Sequence, residues 1–158
     1  MTALLGREVT ATSAAIVLGS LLAVGCAALP GAGAQYRVEE AVSYKQIDGQ
    51  SLTGDLYLPK KTGIKPAVLV VHGGGWRNRS GEMGGISKRL AKAGFVVFNA
   101  TYRLAPENRH PTQVEDVSDA LQWLYDNAPR FDIDPQRIGG WGYSAGAHLI
   151  LMAGLDRQ

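Results

Sequence analysis

Two short runs carry residue types that can do covalent chemistry. Gly142-Tyr143-Ser144-Ala145-Gly146 sets a serine between glycines, after a short strand-like segment and before a helical one. A serine held on such a strand-to-helix turn projects its hydroxyl from the top of a sheet, where it can attack a carbonyl. Side chains at Gly142 or Gly146 would crowd that turn. The second run, His72-Gly73-Gly74-Gly75-Trp76, follows an earlier apolar stretch. Attack by a serine creates an oxyanion, and bare glycines let backbone N–H groups point at it unobstructed. Either run alone is weak, because glycine-rich turns are common. In this order, each between a strand and a helix, they specify acyl transfer at Ser144.

The elements that must hold these runs follow from pattern. Val42 to Ile47 and Leu52 to Leu58 flank Asp48-Gly49, which predicts an antiparallel hairpin. Leu52, Leu56 and Leu58 share one face of the second strand, with Thr53, Asp55 and Tyr57 on the other. Ala67 to Val71 and Phe95 to Ala100 are continuous apolar runs, as expected of strands buried on both faces. Between them Met83, Ile86, Leu90 and Ala93 recur at helical spacing, with Gly94 at the C-terminal cap. Thr112 to Glu115 reads as a capping box behind Pro111, opening a helix with Val114, Val117, Leu121 and Leu124 inward. Arg137 to Gly142 is the strand that delivers Ser144. Strands alternating with helices at this spacing predict a mostly parallel sheet covered by helices on both faces.

Beyond the two motifs, Asp55-Leu56-Tyr57-Leu58-Pro59, Tyr102-Arg103-Leu104-Ala105-Pro106-Glu107 and Ile133-Asp134-Pro135-Gln136-Arg137-Ile138 are shared with a known group. From about Ala41 to Leu155 the chain resembles the bacterial carboxylesterases of the α/β-hydrolase superfamily, near the hormone-sensitive-lipase-like and feruloyl-esterase-like groups. The resemblance implies an α/β-hydrolase fold, a small-molecule ester substrate and no cofactor. It implies Ser144 as nucleophile and the N–H groups of Gly74, Gly75 and Ala145 as the oxyanion hole. His72, Gly73, Gly142 and Gly146 would support that site. The likeness covers the N-terminal half of such an enzyme. The family's catalytic acid and histidine lie well downstream of the serine, so the expectation is a domain truncated after the nucleophile turn and nearly inactive alone. A peptidase or amidase on the same fold, and an inactive remnant or half-domain needing a partner, are the competing readings.

The three histidines do not supply the base. His148 lies one helical turn past Ser144 and is expected to pack beside the turn; His72 is expected to brace the glycine loop through its ring nitrogens, and His110 to sit in a solvated loop. Asp116 and Asp119 precede the nucleophile and read as helix-face residues, and Arg103 with Glu107 as a structural pair. Trp76 reads as an aromatic packed on the loop, or as a wall of the acyl pocket.

Composition bounds the rest. The chain has 158 residues, 46% hydrophobic, 19% charged, with a net charge of +2 and no charge run. No basic stripe interleaved with aromatics is present, which excludes a nucleic-acid partner. No His-x-x-His or His-Glu-x-x-His spacing points to zinc. The one cysteine, Cys26, falls in an uncharged stretch from Val9 to Tyr36 that reads as an export leader, so residues 1–34 are set apart from a folded part beginning at 35. Leu22-Ala23-Val24-Gly25-Cys26 resembles a lipobox that would attach the protein to the membrane through lipidated Cys26. Ala32-Gly33-Ala34 offers a competing cleavage site, and an uncleaved anchor is the third option. The expected location is the periplasm, the membrane surface or the medium.

Overall fold

A computed structural model describes residues 35–155. The leader, with Cys26 and Ala32-Gly33-Ala34, lies outside the described residues. Five strands and three helices follow in the order β1 (Tyr36–Ile47), β2 (Gln50–Pro59), β3 (Lys65–Val71), α1 (Met83–Lys92), β4 (Val96–Ala100), α2 (Thr112–Asp126), β5 (Ile133–Gly142) and α3 (Ala145–Leu155).

The hairpin turns on Asp48 and Gly49, with φ of 48° and 77°. Two consecutive left-handed residues are what a two-residue turn of matching twist requires. β1 starts at Tyr36, ahead of the expected Val42, because it is broken by a bulge. Ala41 adopts φ 52° and the register slips between Glu39 and Val42, which interrupts the alternation a sequence pattern depends on.

The strands lie in the order β1-β2-β4-β3-β5. β1–β2 and β2–β4 are antiparallel, whereas β4–β3 and β3–β5 are parallel, so the sheet is mixed and its parallel part begins at β4. From β3 the chain crosses to β4 on one side, then back over β3 to β5 on the other. Crossovers between parallel strands are almost always right-handed, so opposite directions put their helices on opposite faces. α1 packs with Tyr57, Val70 and Val97 on one face. α2 and α3 pack with Leu56, Leu69, Val71 and Phe98 on the other. Where the strand order reverses, the carboxyl ends of neighbouring strands open a crevice, and such crevices are where α/β folds bind ligands.

Local signals mostly hold, with three corrections. On α1 the inward face is Met83, Ile86, Ser87, Leu90 and Ala91; Ser87 is buried and donates its hydroxyl to the Met83 carbonyl at 2.7 Å. Ala93, expected inward, is the exposed C-cap. The capping box on α2 does not form. Pro111 holds the N-cap and no side chain caps it, which leaves Thr112 one residue too far into the helix. The Pro111 carbonyl instead accepts the N–H groups of Val114 and Glu115.

The third correction concerns Arg103 and Asp116. Arg103 pairs with Asp116 and not with Glu107, and Asp116 is wholly buried. Its carboxylate accepts the Arg103 backbone N–H at 3.0 Å, the guanidinium at 2.9 and 2.7 Å, and the Lys45 ammonium at 2.8 Å. Burial alone would raise the Asp116 carboxyl, but the bonds from Arg103 and Lys45 outweigh it and hold the group below the usual carboxylate range. Asp119 stays on the helix face, half exposed, and shares Lys45 at 2.7 Å. α2 thereby ties β1 to the turn that follows β4.

Candidate active site

Both glycine-rich runs leave the sheet at the carboxyl ends of adjacent strands. Val71 is the register partner of Gly142, so the loop starting at His72 and the turn starting at Tyr143 begin side by side. The Tyr143 N–H reaches back to the Val71 carbonyl at 3.2 Å.

Ser144 sits in the left-handed region, at φ 51°, and is exposed. That conformation strains a residue with a Cβ, by about 1–3 kcal/mol, and lifts its hydroxyl clear of the helix that follows. The strain is held by close approach on both sides. A Cβ on Gly142 would stand 2.4 Å from the Ala147 nitrogen; one on Gly146 would stand 2.3 Å from the Val71 carbonyl oxygen and 2.5 Å from that of His72. The two flanking glycines are therefore required by space and not by φ. Gly146→Ala should force α3 off the end of β3 and destabilise the fold by about 2–3 kcal/mol. Gly139, where an added Cβ would meet nothing within 4 Å, is the matched control. Urea unfolding of the two alanine variants checks the contrast.

α3 opens at Ala145. The next three N–H groups bond back to Tyr143 and Ser144 carbonyls at 2.8, 3.0 and 3.2 Å, while the Ala145 N–H has no helical turn behind it. The glycine loop comes against the same point. A Cβ on Gly73 would lie 2.7 Å from the Tyr143 ring and 3.3 Å from the Ser144 Cβ, so loop and turn are in contact. Gly73 pairs with Ser80 in both directions, at 2.9 and 3.2 Å, and the Gly74 carbonyl accepts the N–H groups of Arg77 and Asn78. Gly74, Gly75 and Trp76 have φ of 114°, 59° and 61°, a run through backbone that favours glycine. The Trp76 carbonyl accepts the Ala105 N–H at 2.8 Å, joining the loop to the turn that Asp116 holds.

His72 is buried behind the loop, stacked on Tyr102 with ring centroids 4.2 Å apart. Its Nδ1 lies 2.7 Å from the Gly73 carbonyl. A carbonyl only accepts, so Nδ1 carries the proton and Nε2 is a bare acceptor, buried with no protein partner. Burial holds its pKa below the ordinary histidine value, with nearby Arg79 pushing the same way. The folded state therefore prefers neutral His72. As pH falls below about 6.5 the unfolded chain takes the proton first, and stability drops until the folded ring also titrates. Unfolding free energies measured at about pH 7.5 and 5.5 should show a larger acid loss for the parent than for His72→Gln.

The other two histidines are exposed, and no side-chain hydrogen bond joins either to the serine. His148 is exposed on α3 and meets Trp76 edge-on at 5.6 Å, and His110 is exposed before α2. Between Ser144 and Leu155, His148 is the one ionisable residue. Trp76, Ala105 and Leu149 line an open cleft of about 350 Å³ beside the loop. The structure thus brings Ser144, Gly73, Gly74, Gly75 and Ala145 to one end of the sheet, with His72 behind them. Sequence reasoning missed Ser80, Tyr102 and Ala105 as the groups that hold the loop: Tyr102 and Ala105 reach it through a strand order the sequence does not spell out, and Ser80 pairs with Gly73 within the loop itself, with no motif to mark it.

Comparison with known proteins finds esterases. The family model BD-FAE matches residues 54–158. Arylacetamide deacetylase of Oryctolagus cuniculus is 35% identical over 70% of this chain and 30% of its own length. Esterase LipC of Mycobacterium tuberculosis is 37% identical over 64% of this chain and 26% of its own. Among solved structures, Thermogutta terrifontis esterase Est2 superposes with a TM-score of 0.66 at 28% identity, covering 73% of this chain and 42% of that one. A bacterial heroin esterase gives a TM-score of 0.66 at 34% identity, covering 82% and 41%. The chain spans less than a third of the length of these two curated relatives.

Proposed function

The chain belongs to the BD-FAE family of α/β-hydrolase carboxylesterases, and from that membership we propose that it carries the nucleophile and oxyanion parts of a serine carboxylester hydrolase. The observation that supports the reading is the contact between two separately encoded loops at the ends of paired strands: Ser144 on one, and Gly73, Gly74 and Gly75 on the other.

In this reading the Ser144 Oγ attacks the ester carbonyl carbon, the carbonyl electrons move to oxygen, and the tetrahedral centre collapses to an acyl-serine as the alcohol leaves. Water then releases the acid and restores the hydroxyl. The backbone N–H groups of Gly74, Gly75 and Ala145 face the developing negative charge. Donors of this kind are each worth about 3 kcal/mol in the transition state. His72 does not touch substrate; through its bond to Gly73 and its stack on Tyr102 it positions the loop. The proton taken from Ser144 needs a histidine and an acid, and His148, turned against Trp76, is not placed as that base.

Reaction with a neutral fluorophosphonate tests the nucleophile without requiring turnover. Covalent labelling of the chain that disappears in Ser144→Ala supports the reading. Labelling of neither protein, or equal labelling of both, refutes it for this chain and favours an inactive remnant.

A further inference from the structure

The cleft beside the glycine loop has a charge pattern that the acyl-transfer chemistry does not need. Its floor is apolar: Trp76 and Ala105, with Leu149 from α3. Around them stand Arg77, which follows the loop, Arg109 and His110, which precede α2, Gln113 of α2 and His148 of α3. No acidic residue lines it. The two acids that come next in sequence, Glu107 and Glu115, are exposed and outside the lining.

Three arginines of the fold hold carboxylates, whereas Arg79, Arg89 and Arg130, like the two of the cleft, have no ion pair among the described residues. Arg37 holds Glu39, Arg103 holds Asp116 and Arg137 holds Asp134, all at 2.7 Å. Among the described residues, neither Arg77 nor Arg109 has an ion pair or a side-chain hydrogen bond. They come from segments more than thirty residues apart, which the Trp76–Ala105 backbone bond draws together. A guanidinium presents a planar fork of donors that matches a carboxylate with two parallel bonds. Set over an apolar floor, it selects a ligand with a hydrophobic body and an anionic end.

We propose that this cleft seats one arm of the ester substrate, and that the arm ends in a carboxylate bound by Arg77 and Arg109. The assignment rests on Ser144 as the nucleophile, since it takes its place in the reaction from Gly75, which borders both the cleft and the oxyanion site. A volume of about 350 Å³ is at the small end for ligand sites and suits a short aryl or alkyl acid. Trp76 supplies a face for the body of that arm, and the two arginines fix which end points outward. Neutral esters would still reach Ser144, but without this anchor.

The test is a binding comparison that does not depend on turnover. The 158-residue chain is titrated with 3-phenylpropanoate and, separately, with its neutral amide, at low salt, by ligand-observed NMR. The carboxylate should bind at least about tenfold more tightly than the amide, as two charge-assisted forks imply. The ratio should fall to about one in an Arg77→Gln/Arg109→Gln variant whose circular dichroism and melting match the parent, and should shrink at high salt in the parent. Equal affinities, a preference that survives the double substitution, or no carboxylate binding up to about 10 mM would each overturn the proposal. Should the carboxylate preference appear while the fluorophosphonate fails to label Ser144, the nucleophile reading falls and the anion site stands. Should Ser144 be labelled with no carboxylate preference, the anion site falls and the nucleophile stands.

Discussion

In any form of the protein that turns over esters, Ser144→Ala is expected to lower kcat about 10⁴-fold or more, with little change in KM. Removing the oxygen leaves the glycine loop and the cleft intact, so binding persists while the proposed acyl-enzyme cannot form. Ser144→Gly should remove activity as fully but act oppositely on stability. At φ 51° the serine carries a backbone strain that glycine does not feel. Thermal unfolding of the glycine variant should therefore show a gain of about 1 kcal/mol over the parent, where alanine shows none. A glycine variant no more stable than the alanine variant would mean that the turn relaxes when the hydroxyl is gone. A serine variant series with undiminished turnover would remove Ser144 from the mechanism.

Asp116→Ala should be the most damaging substitution for the fold among the charged residues. It leaves Arg103, 13% exposed, without its carboxylate, and Lys45, 18% exposed, held by Asp119 alone. Removing one partner of a buried ion pair costs about 3–5 kcal/mol. Asp119→Ala, on the half-exposed arm of the same cluster, should cost no more than about 1 kcal/mol. The acid dependence follows in sign from the same bonds. Asp116 is held below the ordinary carboxylate range, so its contribution is complete above about pH 4 and is lost as pH falls through the folded value. Asp116→Asn should flatten that acid limb. Denaturant titrations of the three variants at neutral and acid pH check both statements. The effect should extend to the site, because the turn that Asp116 holds also donates the Ala105 N–H to the Trp76 carbonyl.

These residues also show where reading the sequence succeeds and where it stops. Asp48-Gly49, the apolar runs of β3 and β4, and the glycine-flanked Ser144 are local signals, since turn chemistry and burial act within a few residues; the structure has the hairpin, the buried strands and the strand-to-helix turn where those signals lie. Asp116 is not legible in that way. Its partners are Arg103, 13 positions away, and Lys45, 71 positions away, so spacing alone makes it another polar residue on an amphipathic helix. Thr112 misleads for a subtler reason. Its spacing to Glu115 fits a capping box, but Pro111 needs no N–H partner and can hold the cap itself. Tyr102 braces the glycine loop through a contact set by strand order, and Ser80 through a pairing within the loop; no short motif encodes either.

The paired Gly73 and Ser80 have a further consequence. Their two mutual bonds close the intervening residues into a ring whose shape is fixed when the protein folds and not when a ligand arrives. The backbone entropy of ordering that segment belongs to folding, so binding does not have to supply it. Amide exchange should register the difference along a few consecutive residues. The Gly73 and Ser80 hydrogens would survive for as long as the sheet stays closed, while those of Gly74 and Gly75, which donate to no backbone carbonyl, would be lost early. A loop of glycines, ordinarily the most pliant kind of chain, would here behave as a rigid bezel beside Ser144.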